Sequence, residues 1–128
     1  MSYYFSKTLD VPFAEAVKRA RDAIAANGFG VLTEIDVAAT LKKKIGAEMR
    51  PYLILGACNP KMAHHALSVE NKIGVMLPCN VIVQELDNGQ VDVAGVDPVA
   101  SMQAIDNPAL AETAMKVQAM MKAIIESV

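Results

Sequence analysis

The sequence contains few charged residues and few cysteines, and each shortage excludes a class of protein. Charged residues make up 20% of the 128 residues, and the net charge is −2. A protein that binds nucleic acid needs a basic face to neutralise phosphates. The two cysteines are too few for the disulfide framework of a small secreted protein. We therefore expect no nucleic-acid partner, and a cytoplasmic protein with reduced thiols.

Long apolar runs are also missing. No stretch approaches the roughly 20 apolar residues that span a bilayer, and the opening "MSYYFSKTLDVPF" lacks the features of a signal peptide. We expect no membrane partner. The sequence is nevertheless 53% hydrophobic, at a length typical of one domain, and its composition is even throughout. Residues 1–128 are therefore predicted to form a single domain.

Prolines and glycines divide the chain into elements. Pro12 and three Asx-Pro pairs are typical of helix starts, because Asx side chains cap a first turn and proline fits the first helical position. Gly28 and Gly46 are typical of helix ends. Asn88-Gly89 predicts a hairpin with a type I′ turn. The Asx-Pro pairs are Asn59-Pro60, Asp97-Pro98 and Asn107-Pro108.

Apolar periodicity between these residues predicts the order β-α-β-α-β-α-β-β-α. The run "PYLILGA", residues 51–57, reads as a central strand. The run "KIGVMLPCNVIVQEL", residues 72–86, reads as a strand that Pro78 interrupts with a bulge, bend or edge. We predict an α+β two-layer sandwich, in which a mostly antiparallel sheet of about five strands packs against helices.

Catalytic motifs are missing. "GFGVLT" has no third glycine and follows a helix, and no Walker lysine, nucleophile elbow or His-Glu-x-x-His is present. Glu34, Glu48 and Glu85 are single carboxylates that nothing pairs in sequence. The sequence therefore favours a protein that is not an enzyme, and a hydrolase or isomerase acting through Glu85 has no positive support.

The two Cys-Asn pairs concentrate the remaining chemistry. Cys58 directly precedes a helix N-cap, where the helix dipole favours a thiolate. Cys79 follows Pro78, and the two sulfurs would meet at one end of the sheet if the two strands are neighbours. Free cysteine is also among the most buried and inert residue types. Both interpretations stay open: structural cysteines, or a reactive or ligand-binding thiol site.

A metal site is not predicted. Cys58 and His65 would lie roughly 10 Å apart along a helix that rises about 1.5 Å per residue, whereas ligand bonds are about 2.0 to 2.3 Å. Adjacent His64 and His65 point in different directions around a helix. Cys58, His64 and His65 are therefore weak metal candidates, and haem or copper is a minor alternative to having no cofactor.

Two motifs carry a resemblance to a known family. "GACNP" at residues 56–60 and "LPCNV" at residues 77–81, with Glu85 and Asp97-Pro98, resemble the uncharacterised bacterial and archaeal proteins called domain of unknown function 302. The resemblance covers nearly the whole chain. It implies a small α+β fold with an antiparallel sheet under helices, and a dimer. It implies no activity, because none is established for the family.

The function predicted from these observations is that of a non-enzymatic, homodimeric ligand-binding or accessory domain. Its pocket would lie near the two Cys-Asn pairs, with Cys58, Asn59, Cys79, Asn80 and Glu85 as candidate residues. The partner would be an unidentified small molecule or protein. The alternative is a thiol-dependent protein that uses Cys58 and Cys79 for redox, persulfide, soft-metal or haem handling.

Four of the eight methionines lie after residue 101 and indicate either a self-association surface or core filler.

Overall fold

The computed structural model describes residues 2–128. The chain forms five strands, five α-helices and a 3₁₀ helix in these residues. In chain order they are β1 (Tyr4–Leu9), α1 (Phe13–Ala26), β2 (Gly30–Asp36), α2 (Val37–Ile45), β3 (Tyr52–Cys58), α3 (Pro60–Val69), the 3₁₀ helix Ile73–Met76, β4 (Cys79–Glu85), β5 (Val91–Val96), α4 (Pro98–Ser101) and α5 (Pro108–Ser127).

The five strands form one sheet in the order β1-β5-β4-β3-β2, and every pairing is antiparallel. The predicted α+β class, strand number and element order are confirmed. None of the helices in residues 2–128 combines the length and apolar character needed to cross a bilayer.

Helices α1 and α5 cover one face of the sheet, which we call the helix face. The side chains of Leu55, Val81, Val83, Val91 and Val93 point to this face and are fully buried. α5 packs so closely on β5 that a Cβ on Gly95 would lie 2.5 Å from the Sδ atom of Met121. The main core therefore lies between the sheet and these two helices.

A second, smaller cluster lies beside the main core. Ala66 of α3, Ile73 of the 3₁₀ helix and Leu110 of α5 are buried together, and Val69, Leu77, Met102 and Ile105 pack against them. The 3₁₀ helix and α3 are therefore held to the start of α5 by a cluster separate from the main core.

The Asx-Pro pairs are helix starts, as predicted. The Asn59 side chain accepts a hydrogen bond from the Met62 N–H at 3.2 Å. Asp97 accepts from the Val99 N–H at 3.0 Å and from Gln118 Nε2 of α5 at 3.1 Å. Asn107 caps α5, and its Nδ2 donates to the Val69 carbonyl at 2.8 Å. Two of these caps therefore also tie separate helices together.

The prediction of a strand through residues 72–86 is wrong in its first part. Ile73–Met76 forms a 3₁₀ helix, the Leu77-Pro78 peptide bond is cis, and β4 begins only at Cys79. Ile73 is buried in the second cluster. The alternation of apolar residues before Pro78 thus reflects packing of a helical turn, which apolar periodicity in a short run does not distinguish from a strand.

The hairpin between β4 and β5 is confirmed, but its predicted type I′ turn is wrong. A type I′ turn needs positive φ at two successive residues, whereas Gly89 has φ of +86° and no residue other than glycine has positive φ in residues 2–128. Gly89 N–H donates to the Leu86 carbonyl, and Leu86 N–H donates to the Gln90 carbonyl. This is the three-residue loop with a bulged glycine.

The methionines after residue 101 do not share one surface. Met121 is fully buried in the main core, Met120 packs against that core and Met102 packs against the second cluster. Met115 is 63% exposed on α5. Three of the four are therefore core filler.

Candidate functional site

The first Cys-Asn pair lies at the junction of β3 and α3. Cys58 is the last residue of β3 and is paired with Gly30 of β2. Asn59 caps α3, and Pro60 is its first residue. Because the cap fixes the direction in which the chain leaves the strand, the Cys58 side chain is held at the end of the sheet.

The second Cys-Asn pair begins the neighbouring strand. Cys79 of β4 lies opposite Ala57 of β3, and Asn80 lies opposite Gly56. The two strands are neighbours, so Cys79 is diagonally adjacent to Cys58. Successive strand residues point to opposite faces, and Cys79 accordingly faces the main core while the exposed Asn80 faces away from it.

A cavity of about 310 Å³ opens where these two junctions meet, and we call it the end cavity. Cys58, Asn59 and Cys79 line one side of it. Other walls come from α3, α5, the start of β2 and the Leu77-Pro78 segment. The end cavity therefore lies between the main core and the second cluster.

Burial controls the acidity of the thiol on the core side. Cys79 is 7% exposed, and burial, with a smaller contribution from the negative charge of a Cys58 thiolate, raises the pKa of Cys79 to about 11. A thiol with this pKa is protonated at neutral pH and is a weak nucleophile. Cys58 is half-buried and is the more accessible of the two.

The other candidate residues lie elsewhere. Asn80 does not line the end cavity, because it points to the opposite face of the sheet. Glu85 is at the far end of β4, opposite Val91, and its backbone N–H donates to the Pro51 carbonyl at 3.0 Å. His64 and His65 are exposed on α3. The structure therefore brings together Cys58, Asn59 and Cys79 and separates Asn80, Glu85 and the two histidines from them.

Sequence reasoning missed most of the apolar walls of the end cavity. They come from residues distant in sequence, on α3, on α5 and just before β2: Phe29, Met62, Ala66, Leu110, Ala114 and Val117. The usable signal was the alanine content of α3 and α5, because small residues on facing helices leave space between them. Within residues 2–128, no group of three or more His, Cys, Asp or Glu side chains is placed to hold a metal ion.

A larger groove of about 760 Å³ lies on the other side of the Leu77-Pro78-Cys79 segment, and we call it the face groove. Those three residues line both spaces. Asn80 lines the face groove, together with Tyr3, Tyr4 and Tyr52, the three tyrosines of the sequence. The segment therefore separates an apolar cavity from an open groove.

Comparisons with known proteins agree with the residue motifs. A crystal structure of an uncharacterised conserved DUF302 protein from Bacillus stearothermophilus superposes with a TM-score of 0.91 at 25% sequence identity, covering 99% of this chain and 98% of that one. No protein of curated function matches the chain. The family model described as domain of unknown function DUF302 matches residues 5–128. The chain belongs to the DUF302 family.

Proposed function

We propose that this chain is a non-enzymatic domain that binds a small, largely apolar molecule in the end cavity, next to Cys58, Asn59 and Cys79. The observation that carries the proposal is the cavity itself, whose walls are apolar and hold very few polar groups. Small-molecule sites typically have this composition, with isolated polar groups that fix the ligand's orientation.

The size of the end cavity limits the ligand. Its volume of about 310 Å³ is at the lower end of the range for ligand sites. It is roughly twice the volume of an engineered apolar cavity that accepts benzene. A ligand of one or two rings, or a short branched chain, fits this volume.

Polar recognition would come from three kinds of side chain. The oxygen of Asn59 caps α3, so its amide NH₂ is the group that a ligand acceptor would contact. Thr33 and Thr113 add hydroxyls to the lining, and the thiols add weak donors. Such a set suits an uncharged ligand with one or two polar atoms.

The absence of charge from the described lining supports a binding role over a catalytic one. None of the lining side chains is charged, so no carboxylate or imidazole is placed for proton transfer. The raised pKa of Cys79 also keeps that thiol protonated at neutral pH. Asn80 and Glu85 would not contact a ligand in this cavity.

The domain would act as a homodimer. Support comes from the row of Ile35, Ile54 and Ile82 on the sheet face that α1 and α5 do not cover, outside the end cavity.

A thiol-dependent function is the second candidate, and one observation favours it: Cys58 and Cys79 line the same cavity, and the charge of a Cys58 thiolate contributes to the raised pKa of Cys79. Redox, persulfide, copper or haem handling would all use this pair. Thiol labelling with iodoacetamide near pH 7 tests it. Rapid modification of Cys58 supports this second candidate, and slow modification of both cysteines contradicts it.

Binding of prodan, an uncharged fluorescent probe with one naphthalene ring system and a ketone, tests the first candidate. We expect its emission to rise on binding the wild-type protein, with a dissociation constant in the micromolar range. Ala63→Phe would fill the end cavity, since Ala63 lines it, and we expect affinity to fall at least tenfold.

Ala111→Phe is the matched control. Ala111 is exposed on α5 and does not line the end cavity, so this variant should bind the probe like the wild type. Equal affinity in all three proteins, or no binding by the wild type, would contradict the proposal. Thermal unfolding of each variant confirms that it is folded.

A further inference from the structure

We propose that the uncovered face of the sheet is a self-association surface on which a second copy of this chain packs. This face, which we call the open face, is opposite α1 and α5. The proposal specifies the surface of the homodimer proposed above and does not depend on a ligand in the end cavity.

A row of apolar side chains crosses four of the five strands on the open face. Ile35 of β2 is paired with Ile54 of β3, Ile54 with Ile82 of β4, and Ile82 with Ala94 of β5. Ser6 of β1 completes the row opposite Ala94. Four adjacent strands thus place an apolar residue at the same level, on the face that the long helices leave uncovered.

The sequences of the central strands β3 and β4 place apolar residues on both faces of the sheet. Antiparallel strands with one solvated face usually alternate between apolar and polar residues. β3 and β4 instead contain the continuous apolar runs Leu53–Leu55 and Val81–Val83. Continuous apolar runs are typical of strands buried on both faces. Helices cover one of these faces, and Ile54 and Ile82 are left for a partner on the other.

The charge of the open face favours a second copy over a charged partner. Among the charged strand residues, Lys7 donates to the Glu126 carbonyl of α5, and Glu34 forms an ion pair with Arg21 of α1, both on the helix face. Asp92 is on the open face, where its carboxylate accepts a hydrogen bond from Gln84 at 3.0 Å. In a two-fold symmetric interface each patch meets its own copy, so a nearly uncharged patch avoids repulsion. It offers no cations to a nucleic acid.

Aromatic and apolar residues border the row. Tyr3 and Tyr4 stack edge to face with ring centroids 5.0 Å apart, and Tyr52 lines the same face groove. Val75 of the 3₁₀ helix is 83% exposed beside this groove. Tyrosine is enriched in the centres of protein interfaces.

The dimensions of the face suit a dimer. Five strands about 4.8 Å apart and roughly six residues long form a flat area of about 24 by 20 Å, close to 500 Å² on each copy. Two such faces, with the bordering tyrosines and the 3₁₀ helix, reach the roughly 1,000 Å² that a specific interface needs. Face-to-face packing of two sheets is a common arrangement.

Light scattering after size exclusion, over a range of concentrations, tests the proposal. We expect the wild-type mass to be twice the 13.7 kDa of one chain. Ile82→Glu places a charge in the centre of the row and should weaken the dimer at least a hundredfold. Ile35→Glu should also weaken the dimer at least a hundredfold. Because Ile35 is 48% exposed on the edge strand, this substitution should disturb the fold less than Ile82→Glu.

Met115→Glu is the matched control, because Met115 is 63% exposed on α5, in the layer on the other side of the sheet. It should remain dimeric. The proposal would be overturned by a monomeric wild type, or by Ile82→Glu and Ile35→Glu variants that both stay dimeric. Either result would also apply if the face groove binds a small molecule and not a second copy. Probe binding measured on monomeric Ile82→Glu separates this outcome from failure of the end cavity as a ligand site.

Discussion

The two faces of the sheet are built from the same strands but differ in what covers them. On the helix face, Val81 and Val83 of β4 are fully buried under the helices. Between them, Ile82 points to the open face and is only half-buried. On β4 the helix face is apolar throughout the middle of the strand, whereas on the open face Ile82 lies between the polar residues Asn80 and Gln84. An exposed apolar row of this kind can mark a surface that is completed outside the chain.

The largest expected difference between the faces is in how much stability is lost when a charged residue is introduced. Val83→Glu would bury a carboxylate among fully buried side chains, which costs several kcal/mol or leaves the chain unfolded. Ile82→Glu, one residue away, should lower the free energy of unfolding of the monomer by about 1 kcal/mol or less. Urea unfolding at low protein concentration measures both. Similar losses in the two variants would contradict the assignment of faces.

The next largest effect is a loss of stability at high pH, caused by ionisation of Cys79 on the helix face. The pKa of Cys79 is about 11 in the folded chain against an ordinary value of 9.0. Below pH 9 both folded and unfolded states hold the proton, and stability is unaffected. Between pH 9 and 11 the unfolded state binds fewer protons, so the free energy of unfolding should fall by about 2–3 kcal/mol.

Urea unfolding across this pH range, with two cysteine variants, isolates the contribution of Cys79. Cys79→Ala should lack that part of the decrease, whereas Cys58→Ala should keep most of it because burial is the larger cause. An identical pH dependence in the wild type and Cys79→Ala would show that burial does not raise the pKa of Cys79.

The smallest effect contrasts the two asparagines. Asn59→Ala removes the cap of α3, in which the side chain accepts from the Met62 N–H, and should cost about 1 kcal/mol. Asn80→Ala changes an exposed side chain on the open face and should alter monomer stability by less than about 0.5 kcal/mol. Thermal or urea unfolding of both variants measures the difference. A larger loss for Asn80→Ala would mean that its side chain supports the fold.

The element order could be predicted because it depends on local signals. Asn59-Pro60, Asp97-Pro98 and Asn107-Pro108 each begin a helix, since a cap and a proline act within one turn. Residues 73–76 were predicted wrongly because their apolar spacing fits both a strand and a helical turn, and burial against Leu110 decides between them. The hairpin position was correct, but the loop conformation depends on the Leu86 and Gln90 pairing.

The candidate site was only partly predictable. The adjacency of Cys58 and Cys79 followed from expecting β3 and β4 to be neighbours. Asn80 and Glu85 were grouped with them because they share the motif, yet alternation along β4 and its length place them away from the end cavity. The walls supplied by α5 depend on how that helix docks, which no local pattern in the sequence encodes.

Hydroxyl-radical footprinting at increasing protein concentration tests most directly whether a second copy covers the open face. Tyr4 is 44% exposed on this face, and Met115 is 63% exposed on α5. We predict that oxidation of Tyr4 and Tyr52 falls as the dimer forms, while oxidation of Met115 stays constant. Oxidation of the two tyrosines that does not change with concentration, at concentrations where light scattering finds a dimer, would contradict the account.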